Sequence, residues 1–244
     1  MVVVIPMAGE GKRFSDAGYT FPKPLISIRG KPMIQWAVES LSLHGRYIFV
    51  AQREVAERYH LDAMLRQIVS ESKVVTVEGK TEGALCTVLE GLKGVEDTQE
   101  LVVANCDQFL VWRPGTFLTQ ARNRNVGGAI AAFQSVHPKW SFLAVSDGLV
   151  QKVAEKVPIS RFASCGVYYF SSVKLFKEAA ARMIAKNMRV NGEFYLAPVY
   201  NEIIDDGDTV MPFFVDGMWG LGTPEDLEEF KMFVCAKEAV SATA

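Results

Sequence analysis

Residues 2–14 read VVVIPMAGEGKRF, an apolar run that passes directly into a loop with two glycines. Residues 2–5 are all β-branched and apolar, and Pro6 ends the run. Such a run is typical of a central parallel strand that is buried on both faces. Glycines directly after a buried strand let the backbone approach an anion closely and direct N–H groups at it. The stretch therefore predicts an α/β sheet with an anion-binding loop at its edge.

Composition narrows the class of protein. The chain has 244 residues, of which 49% are hydrophobic and 22% are charged, and its net charge is −2. This content suits one α/β domain with a large core, and it gives no sign of a nucleic-acid or membrane surface. The four cysteines form no C-x-x-C pair, and neither a signal peptide nor an apolar span of about 20 residues is visible. We therefore expect a cytoplasmic protein with reduced thiols and no nucleic-acid or membrane partner.

Strand and helix patterns alternate through the first half of the chain. Apolar runs predict strands at residues 2–5, 47–50, 73–77 and 101–104, and helical patterns lie between them at residues 33–41, 53–70 and 82–92. This rhythm predicts a parallel sheet with right-handed crossovers. From Gly127 strand patterns predominate, at residues 129–133, 140–145, 150–154 and 167–170, before helices return at residues 173–185, 198–205 and 224–237. We predict one α/β domain over residues 1–244, with a Rossmann-like mixed sheet flanked by helices. Near residue 126 the pattern changes from alternating strands and helices to mostly strands.

The loop after the first strand departs from two common phosphate-binding motifs. A Walker A loop needs a glycine where Pro6 stands, and the dinucleotide fingerprint needs one where Phe14 stands. Lys12 and Arg13 supply positive charge, and the arginine fork suits the oxygens of a pyrophosphate. On spacing alone, an ordinary tight turn explains this loop as well as a phosphate site does.

Lys23 lies between Pro22 and Pro24. The two prolines fix its backbone in an extended form, which favours directing the ammonium at one point. Taken alone, a surface lysine in a proline-rich turn is the better interpretation.

Three motifs in this order resemble the signature of the sugar-phosphate nucleotidyltransferase family. They are the glycine loop at residues 9–14, Pro22-Lys23-Pro24-Leu25 and Gly30-Lys31-Pro32-Met33-Ile34, and later segments follow in family order over nearly the whole chain. The phrases at residues 104–108, 127–130, 155–160 and 220–227 look closest to a branch found with bacterial capsule and surface-polysaccharide genes. The resemblance implies a glycosyltransferase-A-like fold, with a nucleotide half at residues 1–125 and an acceptor half at residues 126–240.

The resemblance also assigns roles to individual residues. Arg13 would bind the β- and γ-phosphates and Lys23 would bridge toward the α-phosphate, as the catalytic cations. The nucleotide would be bound by Ala8, Gly9, Gly11, Lys12, Glu78 and Gly83. The phosphorylated acceptor would be bound by Lys156, Gly166 and Glu193.

The sequence contains only part of the metal site that the resemblance implies. Asp107 follows a buried strand at its carboxyl end, where a carboxylate can hold Mg²⁺ together with substrate phosphates. An aspartate at that place is more often a turn residue, and the resemblance overturns that prior. Members of the family usually carry a second metal carboxylate where this chain has Gly220. Asp216 is our candidate for a shifted replacement; a site with one protein ligand, or an impaired enzyme, is the alternative.

The resemblance implies an enzyme that transfers NMP from CTP, dTTP, UTP or GTP to a phosphorylated small molecule, with Mg²⁺ as cofactor and pyrophosphate as product. A sugar phosphate is the expected type of acceptor, in the synthesis of a surface polysaccharide. Two alternatives stay open: a glycosyltransferase of the same fold, which would normally carry Asp-x-Asp where this chain has Asn105-Cys106-Asp107, and a non-catalytic nucleotide-binding module. The sequence does not set the oligomeric state, and a homo-oligomer is compatible with it.

Overall fold

The structure, a computed structural model, describes residues 1–242 of the chain, with side chains through residue 237. Its strands are β1 Val2–Pro6, β2 Ser27–Ile28, β3 Lys31–Pro32, β4 Arg46–Gln52, β5 Ser72–Val77, β6 Leu101–Ala104, β7 Gln108–Val111, β8 Gly128–Gln134, β9 Ser141–Ser146, β10 Leu149–Glu155, β11 Phe162–Phe170, β12 Val210–Phe214 and β13 Gly217–Gly220. Its helices are α1 Lys12–Asp16, α2 Met33–Leu41, α3 Arg53–Arg58, α4 Leu61–Ile68, α5 Ala84–Gly91, α6 Pro114–Asn123, α7 Val173–Ala185, α8 Val199–Asp205 and α9 Pro224–Ala242. A short 3-10 turn covers Lys23–Leu25.

The first half of the chain forms a parallel sheet, as predicted. Its strands lie in the order β5, β4, β1, β6, and each neighbouring pair runs parallel. The carboxyl ends of all four strands therefore lie along one edge. The glycine loop that follows β1 and the segment that contains Asp107 after β6 both start from this edge.

Strand β11 joins the two halves into one nine-stranded mixed sheet. One of its edges pairs antiparallel with β9 and then with β6, and the other edge pairs antiparallel with β8. The register shifts between Ser164 and Tyr168, and Gly166 at this irregularity has φ +78°. A Cβ atom there would overlap the side chains of Asn105 and Gln108, so the bend requires glycine.

The sheet separates two apolar cores. Val2 and Val4 of β1 face the core that α5, α7 and α8 cover, whereas Val3 and Ile5 face the core that α2, α4 and α6 cover. This division follows from the alternation of side chains along a strand. All four side chains are fully buried, and burying a side chain of this size stabilises the fold by about 1.5–3 kcal/mol.

A third apolar cluster fastens the C-terminal helix to the start of the chain. Leu227, Phe230 and Val234 of α9 pack with Phe14 of α1 and Met33 of α2. Arg13 directly precedes Phe14, and Asp226 directly precedes Leu227. The cluster therefore holds the start of α1 and the start of α9 in place.

Some elements have no counterpart among the predicted ones. The sequence patterns did not indicate α6, although Pro114 at its first position and buried Phe117, Leu118 and Ala121 at helical spacing carry the signal. Strands β7 and β13 pair only with each other, and each has 4 residues. Such short segments show too little alternation to be recognised. Among the described residues, no helix combines the length and apolarity that crossing a bilayer requires.

A pair of helical glycines tests how closely α5 packs on the sheet. A methyl group at Gly91, at the end of α5, would lie 2.6 Å from Cγ2 of Val50 and 3.3 Å from Cγ1 of Val4. We expect Gly91→Ala to lower the free energy of unfolding by about 1–3 kcal/mol, because the core there has no room for it. Gly115 of α6 has nothing within 4 Å of that position. Gly115→Ala should raise the free energy of unfolding by up to about 1 kcal/mol through helix propensity. Urea unfolding followed by circular dichroism measures both, and equal effects would contradict close packing at Gly91.

Candidate active site

Two adjoining cavities open at the carboxyl edge of the parallel strands. The larger, of about 520 Å³, lies over the loop between β1 and α1 and reaches the start of α5. The smaller, of about 240 Å³, lies between the β9–β11 region and the segment from β13 to α9. Both are lined by Ala84, Asn105, Asp107 and Tyr195. The cavities therefore meet around Asp107 and form one continuous cleft.

The glycine loop presents a row of uncommitted backbone donors to the larger cavity. The six N–H groups of residues 8–13 have no hydrogen-bond acceptor among the described residues. Gly11 has φ +62°, and the amide of Gln52 at the end of β4 donates to the carbonyl of Ala8 at 2.8 Å, which fixes the loop to the sheet edge. Ala8, Gly9, Gly11 and Lys12 line this cavity. A run of free N–H groups in such a loop is suited to phosphate oxygens.

Lys23 reaches Asp107 across the floor of the larger cavity. Lys23 begins the 3-10 turn that follows Pro22, so its backbone is not extended as the flanking prolines predicted. The ammonium of Lys23 donates to Oδ2 of Asp107. The two side chains are 19% and 22% exposed. Burial by itself lowers the pKa of Lys23, but the nearby Asp107 and the hydrogen bond to it outweigh that effect and raise the pKa above its ordinary value. Lys23 is therefore a fully charged cation that Asp107 holds at the junction of the cavities.

Asp107 is fixed from both sides by backbone contacts. Just before it, the N–H of Asn105 donates to the carbonyl of Gly166 at 2.9 Å. The N–H of Leu221 donates to the carbonyl of Asp107 at 2.8 Å, and a Cβ atom at Gly222 would lie 3.1 Å from Oδ2 of Asp107. The carboxylate thus lies against a glycine that leaves it room, between the end of β6 and the segment after β13.

Two cations of the smaller cavity have no carboxylate partner among the described side chains. They are Arg13 and Lys156. Arg13 was expected at the β- and γ-phosphates of the nucleotide, but it lines the smaller cavity and not the larger one. Lys156 has φ +59°, and its ammonium donates to the hydroxyl of Tyr195 and lies 4.4 Å from the centroid of that ring. A non-glycine residue in this conformation carries strain that the surrounding contacts must hold. Arg13 lies close enough to Lys23 to oppose the rise in the pKa of that lysine.

The inner end of the smaller cavity is polar and deeply buried. Glu155 at the end of β10 is 7% exposed, and its carboxylate accepts a hydrogen bond from the hydroxyl of Ser141. Burial raises the pKa of this carboxyl, and the bond from Ser141 and the charge of Lys156 oppose the rise. Burial also raises the pKa of Tyr168 beside it. These groups can exchange hydrogen bonds with a polar ligand.

Glu78 and Glu193 lie away from their expected places. Glu78, expected against the nucleotide, lines neither cavity; its carboxylate is 2.6 Å from Nε of Arg53 and its side chain is 76% exposed. Glu193, expected at the acceptor, lines the larger cavity instead and pairs with Lys80 at 2.8 Å. These placements follow from the loops after β5 and α7, which the sequence pattern did not orient. Gly83 and Gly166 do line the larger and the smaller cavity, respectively.

Asp216 does not lie beside Asp107. Strand β13 pairs antiparallel with β7, so Gly217 lies opposite Val111 and Gly220 lies opposite Gln108. Asp107 is next to the Gly220 end of this ladder, and Asp216 is beyond the other end, where its carboxylate is 3.8 Å from Nε of Arg113. The expectation of a shifted metal ligand at Asp216 is therefore corrected by the register of the hairpin.

The donor set at the junction fits a magnesium ion that arrives with a triphosphate. Mg²⁺ is commonly held by one or two carboxylates together with substrate phosphates and water. Asp107 supplies one carboxylate at the meeting point of the cavities. Among the described residues, no group of three or more histidine, cysteine or acidic side chains is placed to hold a metal by protein ligands alone.

Several residues of the cleft have no predicted role. Lys80, Asn105 and Tyr195 line the larger cavity, and Lys139, Trp140 and Asp226 line the smaller one. Their spacing in the sequence carries no local pattern, because each reaches the cleft through a pairing between distant segments. The available signals were the phrases at residues 104–108 and 220–227, which contain Asn105 and Asp226, and the position of Tyr195 two residues after Glu193.

Comparison with known proteins places the chain among nucleotidyltransferases. The solved nucleoside-diphosphate-sugar pyrophosphorylase from Vibrio cholerae RC9 superposes with a TM-score of 0.83, is 26% identical, and the match covers 94% of this chain and 99% of that one. The bifunctional protein GlmU of Exiguobacterium sibiricum is 25% identical over 86% of this chain and 47% of its own length. The low-salt glycan biosynthesis nucleotidyltransferase Agl11 of Haloferax volcanii is 24% identical over 95% of this chain and 65% of its own length.

The chain thus spans about half to two thirds of the length of these curated relatives. The fold is the mixed α/β sheet of the nucleotidyltransferases, as predicted. The model of the family described as the MobA-like NTP transferase domain matches residues 3–158, which is more than half of the 244 residues and includes the glycine loop, Lys23, Asp107 and Lys156. The chain belongs to the family of MobA-like NTP transferase domains.

Proposed function

We propose that this protein transfers NMP from an NTP to a phosphorylated small molecule and releases pyrophosphate. The larger cavity takes the nucleotide and the smaller cavity takes the acceptor. The nucleotide is CTP, dTTP, UTP or GTP, and the acceptor is a sugar phosphate or a similar compound.

The observation that carries this proposal is the meeting of two unlike cavities at the Lys23–Asp107 pair. The larger one offers free backbone N–H groups from residues 8–13, which suit a polyphosphate. The smaller one contains Arg13 and Lys156, neither paired with a carboxylate among the described residues, which suit a second phosphate. A transfer between two phosphorylated substrates requires the two sites to adjoin. Here the two cavities have some of their lining residues in common.

The arrangement explains why the reaction needs no general base. An acceptor phosphate is already an anion at neutral pH, so one of its oxygens can attack the α-phosphorus directly. A new P–O bond forms there, the bond from the α-phosphorus to the α,β-bridging oxygen breaks, and pyrophosphate leaves with the electron pair. Lys23 neutralises negative charge on the α-phosphate, and Arg13 neutralises phosphate charge at the boundary between the cavities. Positioning and charge neutralisation of this kind account for most catalysis of phosphoryl transfer.

Magnesium belongs to the same proposal. Asp107 would hold the ion, which when bound neutralises phosphate charge that the side chains do not reach. Before substrate binds, the ammonium of Lys23 occupies Asp107. The ion pair with Lys23 holds this carboxylate in place until the triphosphate enters.

We assign the product to the synthesis of a surface polysaccharide. The supports are the phrases shared with the capsule branch and the likeness to a nucleotidyltransferase of glycan biosynthesis. A screen of four NTPs against sugar 1-phosphates and other phosphorylated acceptors, read by pyrophosphate release, identifies both substrates. A glycosyltransferase would release no pyrophosphate from any NTP, and a non-catalytic module would bind an NTP without turnover; either result would replace the proposal.

The ion pair at the junction should control the rate. We expect Lys23→Ala and Asp107→Ala each to slow pyrophosphate release by roughly a hundredfold or more. The first removes a cation from the reacting phosphate, and the second removes the carboxylate that would hold Mg²⁺ there. Lys31→Ala is the matched control. Lys31 is an exposed lysine that lines neither cavity, and its Nζ is 2.7 Å from Oε2 of Glu39. Its rate should stay within about twofold of the unmodified protein. Near-normal turnover by Lys23→Ala would remove that residue from the mechanism.

The glycine loop should control nucleotide affinity. Gly11 and Gly18 both have positive φ, at +62° and +85°, so alanine at either position adds similar backbone strain. Only at Gly11 would the new methyl group meet a functional residue, 3.0 Å from Cβ of Lys23. We expect Gly11→Ala to weaken NTP binding by about tenfold, equivalent to one good hydrogen bond, and Gly18→Ala to leave it nearly unchanged. Calorimetric titration measures both, and equal losses would show that strain alone is responsible.

A further inference from the structure

Lys139 and Asp226 form an ion pair in the wall of the smaller cavity. Nζ of Lys139 lies 2.6 Å from Oδ1 of Asp226, and the two side chains are 31% and 13% exposed. The residues are 87 positions apart in the chain, in the loop before β9 and in the first turn of α9. The ammonium also lies 4.7 Å from the centroid of the Trp140 ring, so two neighbours fix its position.

The absence of a side chain at Gly220 makes room for this unit. A Cβ atom at Gly220 would lie 2.9 Å from Trp140 and 3.5 Å from Oδ2 of Asp226. Any larger residue would therefore displace the indole ring or the carboxylate. The backbone of β13 lies close to Trp140 and Asp226 here. The space that a side chain at Gly220 would take is left to Trp140, Lys139 and Asp226.

Asp226 is itself firmly placed. Its backbone N–H donates to Oγ1 of Thr223 at 3.2 Å, and the next residue, Leu227, is fully buried in the third apolar cluster. An ammonium has three donors, and Asp226 takes one of them. The pair therefore holds Lys139 at the cavity wall with donors to spare for a ligand.

Lys139 and Lys156 leave neighbouring points of the backbone and contact different partners. The N–H of Lys156 donates to the carbonyl of Trp140 at 2.9 Å, so the two lysine-bearing segments lie side by side. From there the ammonium of Lys156 goes to the hydroxyl of Tyr195, and that of Lys139 goes to Asp226. The two cations are thus held on separate partners, and both line the same cavity.

We propose that Lys139 is a second phosphate-binding cation of the acceptor site, acting together with Lys156, and that Asp226 is the residue that positions it. The inference rests on the proposed function, because it takes the smaller cavity to be the acceptor site. The oxygens of a phosphate monoester offer acceptors to both ammonium groups at once. Charge-assisted bonds of this type are the strong ones in phosphate recognition.

The test uses glucose 1-phosphate as the probe and calorimetric titration of the whole protein as the readout. We expect Lys139→Met to weaken probe binding by about tenfold, as the loss of one charge-assisted hydrogen bond predicts. Lys139→Arg should restore part of the affinity, and Asp226→Asn should weaken binding by a smaller factor. Lys152→Met is the matched control, since Lys152 is an exposed lysine of β10 that lines neither cavity. NTP affinity should be unchanged in all four variants.

Several outcomes would overturn the inference. They are normal probe binding by Lys139→Met, a parallel loss of NTP affinity, a lower Tm with unaltered binding, and no saturable binding of the probe to the unmodified protein. The proposed function fails separately, if the unmodified protein releases no pyrophosphate with any NTP and acceptor. Lys139-dependent binding of the probe could still be present in that case, so the two failures are distinguishable.

Discussion

The contact between Lys23 and Asp107 lies where the two cavities meet, because Lys23 lines the larger cavity and Asp107 lines both. Asp107 reaches the site because β6 ends beside β1, and Lys23 reaches it because the turn after α1 returns over the same edge. The chain thereby keeps a carboxylate and an ammonium together in a partly buried place. Such a pair gives little net stability, because removing both charges from water costs about as much as their attraction returns. Its presence at the junction of two cavities is better explained by function than by folding.

The sequence determined the parallel half of the fold well because its strands are unambiguous. β6 begins and ends at the residues predicted, as does α7, since a run of four buried apolar residues and a long amphipathic helix leave no competing interpretation. The meeting of the glycine loop and Asp107 followed from the same pattern, because parallel strands share a carboxyl edge. Lys23 was expected there only from the family resemblance. Whether those residues bind and react as the family resemblance implies stays a prediction.

The acceptor side was less predictable because its geometry comes from pairings between distant segments. Asp216 was expected near Asp107 on sequence distance, but the antiparallel register of β7 and β13 sends it to the opposite end of the hairpin. Glu193 was expected to face the acceptor, but Lys80 from another loop holds it at the larger cavity. Neither pairing leaves a periodic signal in the sequence, so local pattern could name the residues without placing them.

Three lysines of the cleft are held by carboxylates, so a chain of slightly negative net charge keeps several ammonium groups at fixed positions in one cleft. Lys23 pairs with Asp107, Lys80 with Glu193 and Lys139 with Asp226. Without ligand, each carboxylate limits the motion of a flexible ammonium and screens it from its neighbours. If the proposed substrates bind here, the ammonium groups are already near the phosphate oxygens, so less reorganisation is required. Arg13 and Lys156 have no carboxylate partner among the described residues, and in the proposed function the phosphates would supply their anions.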